Sequence, residues 1–362
     1  MNILKKILKC CGVILGSAVI FLLAVLLVFT IAEYRPKPKE FVITSGSANG
    51  KIVCGKPFTV LSWNTGYGAL GDNADYFMDG GTMVMTADKA RVIENLEGIS
   101  RGIQDYRPDF IFLQEVDRKS KRSFFINEKE FFEQKLPGYE SSFAANFKVL
   151  HVPAPALFGR RATGKVDGGL LTFSQVPVQR AERISLPCPF KYPIRIFNLK
   201  RCLLVNRIKV AETDKELVLI NLHLEAYDAG EGKIAQTKML RKIFDAETAK
   251  GNYVIAGGDF NQTFSSVDVT AYPTYPNRWI PGIINVRDFS GETQLRMDST
   301  QPSCRSLDTA YAGADKTNFQ FYVIDGFIVS PNIEINSLKT VNKEFRNSDH
   351  NPVLMTVTLK TD

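Results

Sequence analysis

The sequence predicts an α/β domain built from two packed β-sheets with helices on the outside, preceded by one transmembrane helix. Three observations carry this. Short runs rich in Val, Ile, Leu and Phe recur along the chain, each bounded by polar residues or by Gly and Pro. Only two segments have the spacing of an amphipathic helix. The N-terminus holds one long stretch without charge, Cys10–Ala32.

That stretch comes first. Val13–Ile31 is almost wholly Val, Ile, Leu, Phe and Ala, and a helix of about 20 such residues crosses the hydrocarbon core. A cleaved signal peptide is the competing reading, because Thr30-Ile31-Ala32 resembles a small-residue cleavage site, but such a peptide has an apolar region of only about 7–15 residues. Lys5, Lys6 and Lys9 lie on one side, and Arg35, Lys37 and Lys39 on the other, offset by Glu33 and Glu40. The positive-inside rule therefore decides little. The short tail favours an N-terminus in the cytoplasm and a large domain outside it, as in a single-pass membrane protein. The expected organisation is a tail at 1–9, an anchor at 10–32, a linker at 33–50 and a folded domain at 51–362. Arg35-Pro36-Lys37-Pro38-Lys39 reads as a stiff spacer.

Strand-like runs follow at Phe58–Trp63, Asp109–Val116, Gly169–Phe173, Cys202–Val210, Leu217–Leu224, Tyr253–Gly257, Phe319–Val329 and Pro352–Leu359. The first helix is marked by Val92, Leu96, Ile99 and Ile103, with Asp88 at its start and Pro108 after its end. The second runs from about Ile234 to Lys250, with Leu240, Ile243 and Phe244 on its apolar face and Gly251 as a stop. Most strand-like runs join by short connections, which favours two packed sheets over one parallel sheet. No G-x-G-x-x-G or G-x-x-x-x-G-K-[ST] is present. Gly66–Met85, His151–Gly168 and Thr263–Ser303 read as long loops, a length often tied to function.

Charge narrows the class. The chain is net +7, but Lys5, Lys6, Lys9, Arg35, Lys37 and Lys39 against Glu33 and Glu40 supply +4 of it within the first forty residues. The high pI is largely a property of the N-terminal flanks and argues poorly for a nucleic-acid surface. Of the 6 cysteines, Cys10 and Cys11 sit at the membrane edge. Cys54, Cys188, Cys202 and Cys304 allow three pairings or none, with Cys188–Cys202 the nearest in sequence.

Six motifs put polar side chains at or just past the end of an apolar run. In order they are Leu61-Ser62-Trp63-Asn64, Phe112-Leu113-Gln114-Glu115-Val116-Asp117, Asn221-Leu222-His223, Gly258-Asp259-Phe260-Asn261, Ile324-Asp325-Gly326 and Ser348-Asp349-His350. The chain has only 3 histidines, and two of them are in this set. Strand ends that agree in direction share one edge of a sheet. Carboxylates, amides and neutral imidazole in one cleft suit a hard divalent cation and a phosphate. Singly, each motif is equally a turn, a cap or a satisfied core group; the ordered combination is what is specific.

This ordered set resembles the endonuclease/exonuclease/phosphatase superfamily, the deoxyribonuclease I-like proteins, across the whole folded part from about Phe58 to Leu359. The resemblance implies a four-layer sandwich of two β-sheets flanked by helices. It implies hydrolysis of a phosphodiester or phosphomonoester with Mg²⁺ (or Mn²⁺/Ca²⁺). It implies a metal on Glu115 with Asn64 beside it and Asp349 as a second carboxylate. Asp259 would orient or deprotonate the attacking water, with Asn261 holding that water and a phosphate oxygen. His350, aligned by Asp325, would contact the phosphoryl group, and His223 would hold a phosphate oxygen or assist the leaving group. The bottom-up chemistry agrees: displacement at phosphorus needs charge neutralisation, a base for water and fixed donors to the equatorial oxygens.

One departure stands out. Abasic-site repair enzymes of this family carry an acidic residue two places after the Asn of W-N; here that place is Gly66. This argues against DNA repair and for a one-metal arrangement centred on Glu115. Substrate class stays open between a lipid headgroup or small phosphoester and, as a membrane-tethered nuclease, DNA or RNA. A catalytically silent binding module of the same fold is the remaining alternative. Arg160, Arg161 and Lys165 form a local basic group expected to meet substrate phosphates. No obligate protein partner is implied.

Overall fold

A computed structural model describes residues 2–152, 162–228, 230–317 and 319–361. The chain begins with helix α1 (Asn2–Ile31), followed by β1 (Lys39–Val42), β2 (Thr44–Gly46) and β3 (Pro57–Asn64). Next come α2 (Lys89–Tyr106), β4 (Phe110–Asp117), α3 (Glu128–Lys135), β5 (Glu140–Val152), β6 (Gly164–Ser174) and β7 (Val178–Ser185). Then follow β8 (Cys202–Lys209), β9 (Glu216–His223), α4 (Glu231–Thr248) and β10 (Tyr253–Asp259). Short strands β11 (Gln262–Phe264), β12 (Gly282–Ile284), β13 (Gln294–Arg296), β14 (Cys304–Arg305) and β15 (Phe321–Tyr322) precede β16 (Asp325–Val329), β17 (Ile333–Thr340) and β18 (Val353–Leu359).

Two seven-stranded sheets form, ordered β1-β7-β8-β9-β10-β16-β13 and β17-β18-β3-β4-β6-β5-β2. The period-2 alternation of side chains decides what each strand face meets. In β4, Phe110 and Phe112 point into the layer between the sheets, with Val60, Leu219, Ile255 and Met355. Ile111 and Leu113 point the other way, under Val92, Leu96 and Ile99 of α2 and Phe132 of α3. In β9, Leu217 and Leu219 join the inter-sheet layer, while Val218, Ile220 and Leu222 pack on Leu240 and Phe244 of α4. Strands buried on both faces read as continuous apolar runs, which is why these were visible in the sequence. The result is the four-layer, deoxyribonuclease I-like sandwich.

Local signals set the helix bounds. The Asp88 carboxylate accepts from Arg91 N at 2.8 Å and caps α2. The helix closes on Arg107 in the left-handed region at φ 44, just before Pro108. The α1 helix starts earlier than expected and takes in residues 2–9 of the tail predicted at 1–9; Ile3–Ile31 is long and apolar enough to cross a membrane.

Several expectations are corrected. The segment 33–50 is more than a linker, because β1 pairs with β7 and β2 with β5, one on each sheet; four or fewer residues pairing through backbone leave little sequence pattern. Part of the loop expected at His151–Gly168 is strand, since His151 and Val152 end β5 and Gly164–Gly168 begin β6. The run Phe319–Val329 is broken between β15 and β16, where Ile324 N and Asp325 N donate to Ser303 Oγ at 3.0 and 3.1 Å. Cys188 and Cys202 are not paired; all six cysteines are free thiols, Cys188 exposed and Cys202 buried. Strands β5, β7 and β17 and helix α3 were not anticipated, because their exposed faces carry mixed polar residues.

Buried polar contacts cross the layer, Ser142 Oγ of β5 donating to Asn206 Oδ1 of β8 at 2.7 Å among them, and one lies next to the catalytic edge. Gln114 Nε2 on β4 donates to Asn221 Oδ1 on β9 at 2.8 Å and to Ser62 Oγ on β3 at 3.3 Å. Asn221 Nδ2 in turn donates to Leu113 O, Leu171 O and Thr172 Oγ1 at 3.1–3.2 Å. Both amides are fully buried. Asn221→Leu keeps the branched shape but leaves the Gln114 donor and those acceptors dry, each worth about 1–3 kcal/mol. The expected loss is roughly 3 kcal/mol in the urea-unfolding free energy; an unchanged midpoint would show that the tie between sheets is dispensable.

Candidate active site

Strand direction gathers the polar ends. Strands β3 and β4 run parallel with Asn64 opposite Gln114, and β9 and β10 run parallel with Asp259 opposite His223. Antiparallel β16 begins with Asp325 opposite Asp259. The segment before β18 brings Ser348, Asp349 and His350 to the same edge, held by Ser348 Oγ donating to Asn64 O (2.7 Å) and Trp63 Nε1 donating to His350 O (2.8 Å). All six predicted motifs therefore meet. Glu115 sits at φ 57, inside the irregularity between Leu113 and Val116 in the β4–β6 pairing; a bulge of this kind re-aims a side chain out of the sheet. Asn261, at φ 50, turns the chain after β10, and its Nδ2 donates to Leu224 O at 2.9 Å.

One half of the site is a chain of acid and imidazole. His350 Nδ1 lies 2.8 Å from Asp325 Oδ2, and His350 Nε2 lies 3.7 Å from Asp259 Oδ2. Asp259 Oδ2 is also 3.3 Å from His223 Nε2, and Asp259 Oδ1 accepts from Asn261 N at 2.8 Å. Burial opposes charge on the His350 ring, but the Asp325 carboxylate carries it well above the usual histidine range. Burial pushes the Asp259 carboxyl up to about 7, opposed by the charge of His350 and reinforced by that of Asp325. Burial, then the charges of Arg201 and His350, hold His223 well below its usual range, so its ring is neutral. Its Nδ1 is buried and has no hydrogen-bond partner.

The other half is acidic. Glu115 and Asp349 line the same cavity as His223, Asp259 and Asn261. Burial pushes Asp349 up to about 6, against the charge of His350 and with that of Glu115 adding. Among the described residues no lysine or arginine forms an ion pair with either carboxylate. Asn64 Nδ2 donates to Glu115 Oε1 at 3.2 Å and to Asp259 Oδ2 at 3.0 Å, joining the two halves. Its oxygen accepts from Gly66 N at 3.0 Å. Gly66 has φ +52, and a Cβ there would lie 2.8 Å from Asp349 Oδ1, so an acidic side chain at this place would crowd the carboxylate. Two unpaired carboxylates beside an amide are hard oxygen donors that fit a divalent cation. Asp259, Asp325 and His350 also offer atoms within 4.8 Å of one another. There, however, His350 Nδ1 is committed to Asp325, which suits a proton-holding pair better than a ligand set.

Lys165 lies in β6 and is absent from the cavity wall, and Arg160 and Arg161 lie outside the described residues. Sequence reasoning missed several groups that shape the cavity. Tyr67 is buried beneath the Arg122 guanidinium, 3.8 Å from its ring centroid. Arg122 is itself fixed by two bonds of 3.0 Å to Asp117. Arg201 sits 3.7 Å from Glu225. Tyr67 follows the W-N motif by only three places, a signal within reach; Arg201 and Glu225 had none.

Residues 61–350 match the Endonuclease/Exonuclease/phosphatase family, and the chain belongs to that family. No curated protein matches the sequence. The chain is similar to the solved structure of an endonuclease/exonuclease/phosphatase from Beutenbergia cavernae DSM 12333, at 18% identity and a TM-score of 0.56 over 84% of this chain and 72% of that one. It is similar to an endonuclease/exonuclease/phosphatase family protein from Bacteroides thetaiotaomicron, at 15% and 0.53 over 84% and 96%. It is also similar to D. rerio TDP2 complexed with single strand DNA product, at 14% and 0.51 over 83% and 99%. At these identities the likeness is one of fold.

The Asp325–His350 pair has a direct test. In Asp325→Asn the neutral amide no longer supports the imidazolium, so burial dominates and the His350 pKa falls to or below the ordinary value of about 6.5. Carbon-13-labelled histidine followed by NMR across pH reads this; an unmoved titration would mean that Asp325 does not set the ring's charge.

Proposed function

We propose that the chain is a metal-dependent phosphoric ester hydrolase, held at a membrane by α1, that cleaves a phosphodiester or phosphomonoester by in-line attack of water. The observation that carries this is a cavity lined by the carboxylates Glu115 and Asp349, neither in an ion pair with a lysine or arginine, together with Asp259, which is backed by His350 and Asp325. In this reading Glu115 and Asp349 hold a divalent cation such as Mg²⁺, with Asn64 fixing Glu115 beside it. A bound cation of this kind polarises a phosphoryl oxygen and neutralises charge that develops on it.

The protein's own groups do the rest. Asp259, with a carboxyl near neutrality, orients the water and accepts its proton, as a base matched to its working pH should. The water oxygen bonds to phosphorus as the bond from phosphorus to the leaving alkoxide breaks. The alkoxide takes up a proton from solvent and leaves as an alcohol, and Asp259 returns its proton to solvent. His350, kept charged by Asp325, faces the phosphoryl oxygens and stabilises their charge. Asn261 holds the water. In this reading His223 holds a phosphate oxygen or assists the leaving group. A silent binding module would have no need of an Asp259 poised in this way.

Asp259→Asn and His350→Ala are expected to lower kcat on bis-nitrophenyl phosphate about 10²–10⁴-fold, with unfolding midpoints little changed. EDTA should abolish activity and added Mg²⁺ or Mn²⁺ restore it. Wild-type turnover by both variants would exclude this mechanism. Membrane attachment is checked separately. The full chain should stay with the membrane pellet through high salt and alkaline carbonate and leave it only in detergent. A mature N-terminus just after Ala32 would instead establish a cleaved signal.

A further inference from the structure

The cavity lined by Glu115, His223, Asp259, Asn261 and Asp349 is larger and more apolar than a hydrated phosphate requires. Its volume is about 660 Å³, in the range of sites that enclose a whole ligand. Away from the polar groups its wall includes Met78, Phe147, Phe190, Ile194, Phe197 and Leu199. Four of these, Phe190, Ile194, Phe197 and Leu199, belong to the connection between β7 and β8.

The same connection is where α1 docks. The Phe197 ring meets Phe29 edge-on, with centroids 5.1 Å apart. The Tyr192 hydroxyl lies 3.3 Å from Thr30 Oγ1. Just past the helix, Glu33 pairs with Arg195 at 3.2 Å and with Lys200 at 3.1 Å. Phe197 therefore touches the last turn of the membrane-spanning candidate with one surface and the catalytic cavity with another. Tyr192 and Ile194 remain 51% and 60% exposed beside it. Aromatic residues with flanking Lys and Arg, set at the end of a spanning helix, are the composition of a membrane interface.

We propose that the substrate is a membrane lipid phosphoester. Its phosphate reaches Glu115, Asp349 and His350, while its apolar chain lies along Phe190, Ile194 and Phe197 and enters from the bilayer past Tyr192. This rests on the phosphoesterase reading above and on α1 crossing the membrane; the bond made and the bond broken are those already given. Charge speaks against a nucleic acid. The lining sets four carboxyl groups, Glu115, Glu225, Asp259 and Asp349, against Arg122 and Arg201, and both arginines are committed, to Asp117 and Glu225. A groove for single strands instead tracks the backbone with free cations and stacks bases on aromatic faces. The wall does offer aromatic faces, Phe147, Phe190 and Phe197 among them, so the lack of free cations carries the distinction, and Ile194, Leu199 and Met78 suit an alkyl chain.

The test uses the full chain in phosphatidylcholine nanodiscs with Mg²⁺ and 4-nitrophenyl phosphodiesters bearing methyl, butyl, hexyl and octyl groups. The value of kcat/KM is expected to rise about threefold to fourfold per buried methylene. Phe197→Ser and Ile194→Ser should each cut the octyl-to-methyl ratio at least tenfold. Partition of each ester into the bilayer is common to wild type and variants, so the change in ratio reports the wall itself. Ile194 is exposed, so its substitution reads the wall even if Phe197→Ser disturbs docking of the helix. A flat wild-type series, or an unchanged ratio in both variants, with the methyl ester still cleaved, overturns the lipid assignment and leaves the hydrolase reading standing. Faster cleavage of a single-stranded DNA oligonucleotide than of the octyl ester also overturns the lipid assignment. Cleavage of none of these substrates by the folded, metal-supplied chain sinks both readings.

Discussion

The buried amide pair Gln114–Asn221 is the contact on which the rest depends. Two sheets packed through an apolar layer have no intrinsic register, because dispersion and hydrophobic burial are nearly indifferent to a small slide. A hydrogen bond of 2.8 Å between two fully buried amides is not indifferent. Gln114 is adjacent to Glu115, and Asn221 is two residues before His223, so the tie that registers the sheets also registers the acidic half of the site against the imidazole half. Gly258 shows how tightly this is drawn. At φ +143, a Cβ there would sit 2.0 Å from Leu222 O and 3.2 Å from Gln114 Nε2, so only glycine lets β10 carry Asp259 to its place.

That geometry creates an electrostatic problem in the free protein. Asp259, Asp325, Asp349 and Glu115 converge on one edge, and three of the four are nearly inaccessible to water. Charges buried together favour neutralisation unless something compensates. The His350–Asp325 pair compensates one side. Asn64 bridges Glu115 and Asp259 but carries no charge, so the Glu115–Asp349 side stays uncompensated. A site that strains its own carboxylates in this way is one in which a cation and a phosphate would each relieve the other's cost, and where folding and ligation are linked.

The chemical half of the site was legible because each residue follows an apolar run. A strand buried on both faces announces itself, and the first polar residue beyond it must lie at the sheet edge. Asn64, His223, Asp259 and Asp325 were all visible on that basis. What was illegible follows from the same physics. The strands β5 and β17 face solvent in part, so their apolar signal is halved, and β1 and β2 are too short to show a period. Pairing of Cys188 with Cys202 rested on proximity in sequence, yet Cys202 lies at the start of β8 with its thiol toward Ala145 O, at 3.9 Å, while Cys188 is outside on the loop.

The apolar wall of the cavity was the least visible part, and the reason bears on how such a fold acquires its substrate. Its residues come from scattered regions, 67–78, 147–152 and 190–199 with Ala226, Tyr227 and Leu307, and share no period and no motif. Strand ends are positioned by backbone hydrogen bonds and cannot move without losing the sheet, so the catalytic set is constrained. The connections carry no such obligation and set the shape around it. In this chain the connection between β7 and β8 answers to a second constraint, since Phe197 and Tyr192 must also receive the end of α1. A loop that meets both the helix and the cavity couples where the protein sits to what it can admit, and the route by which substrate arrives becomes part of its specificity.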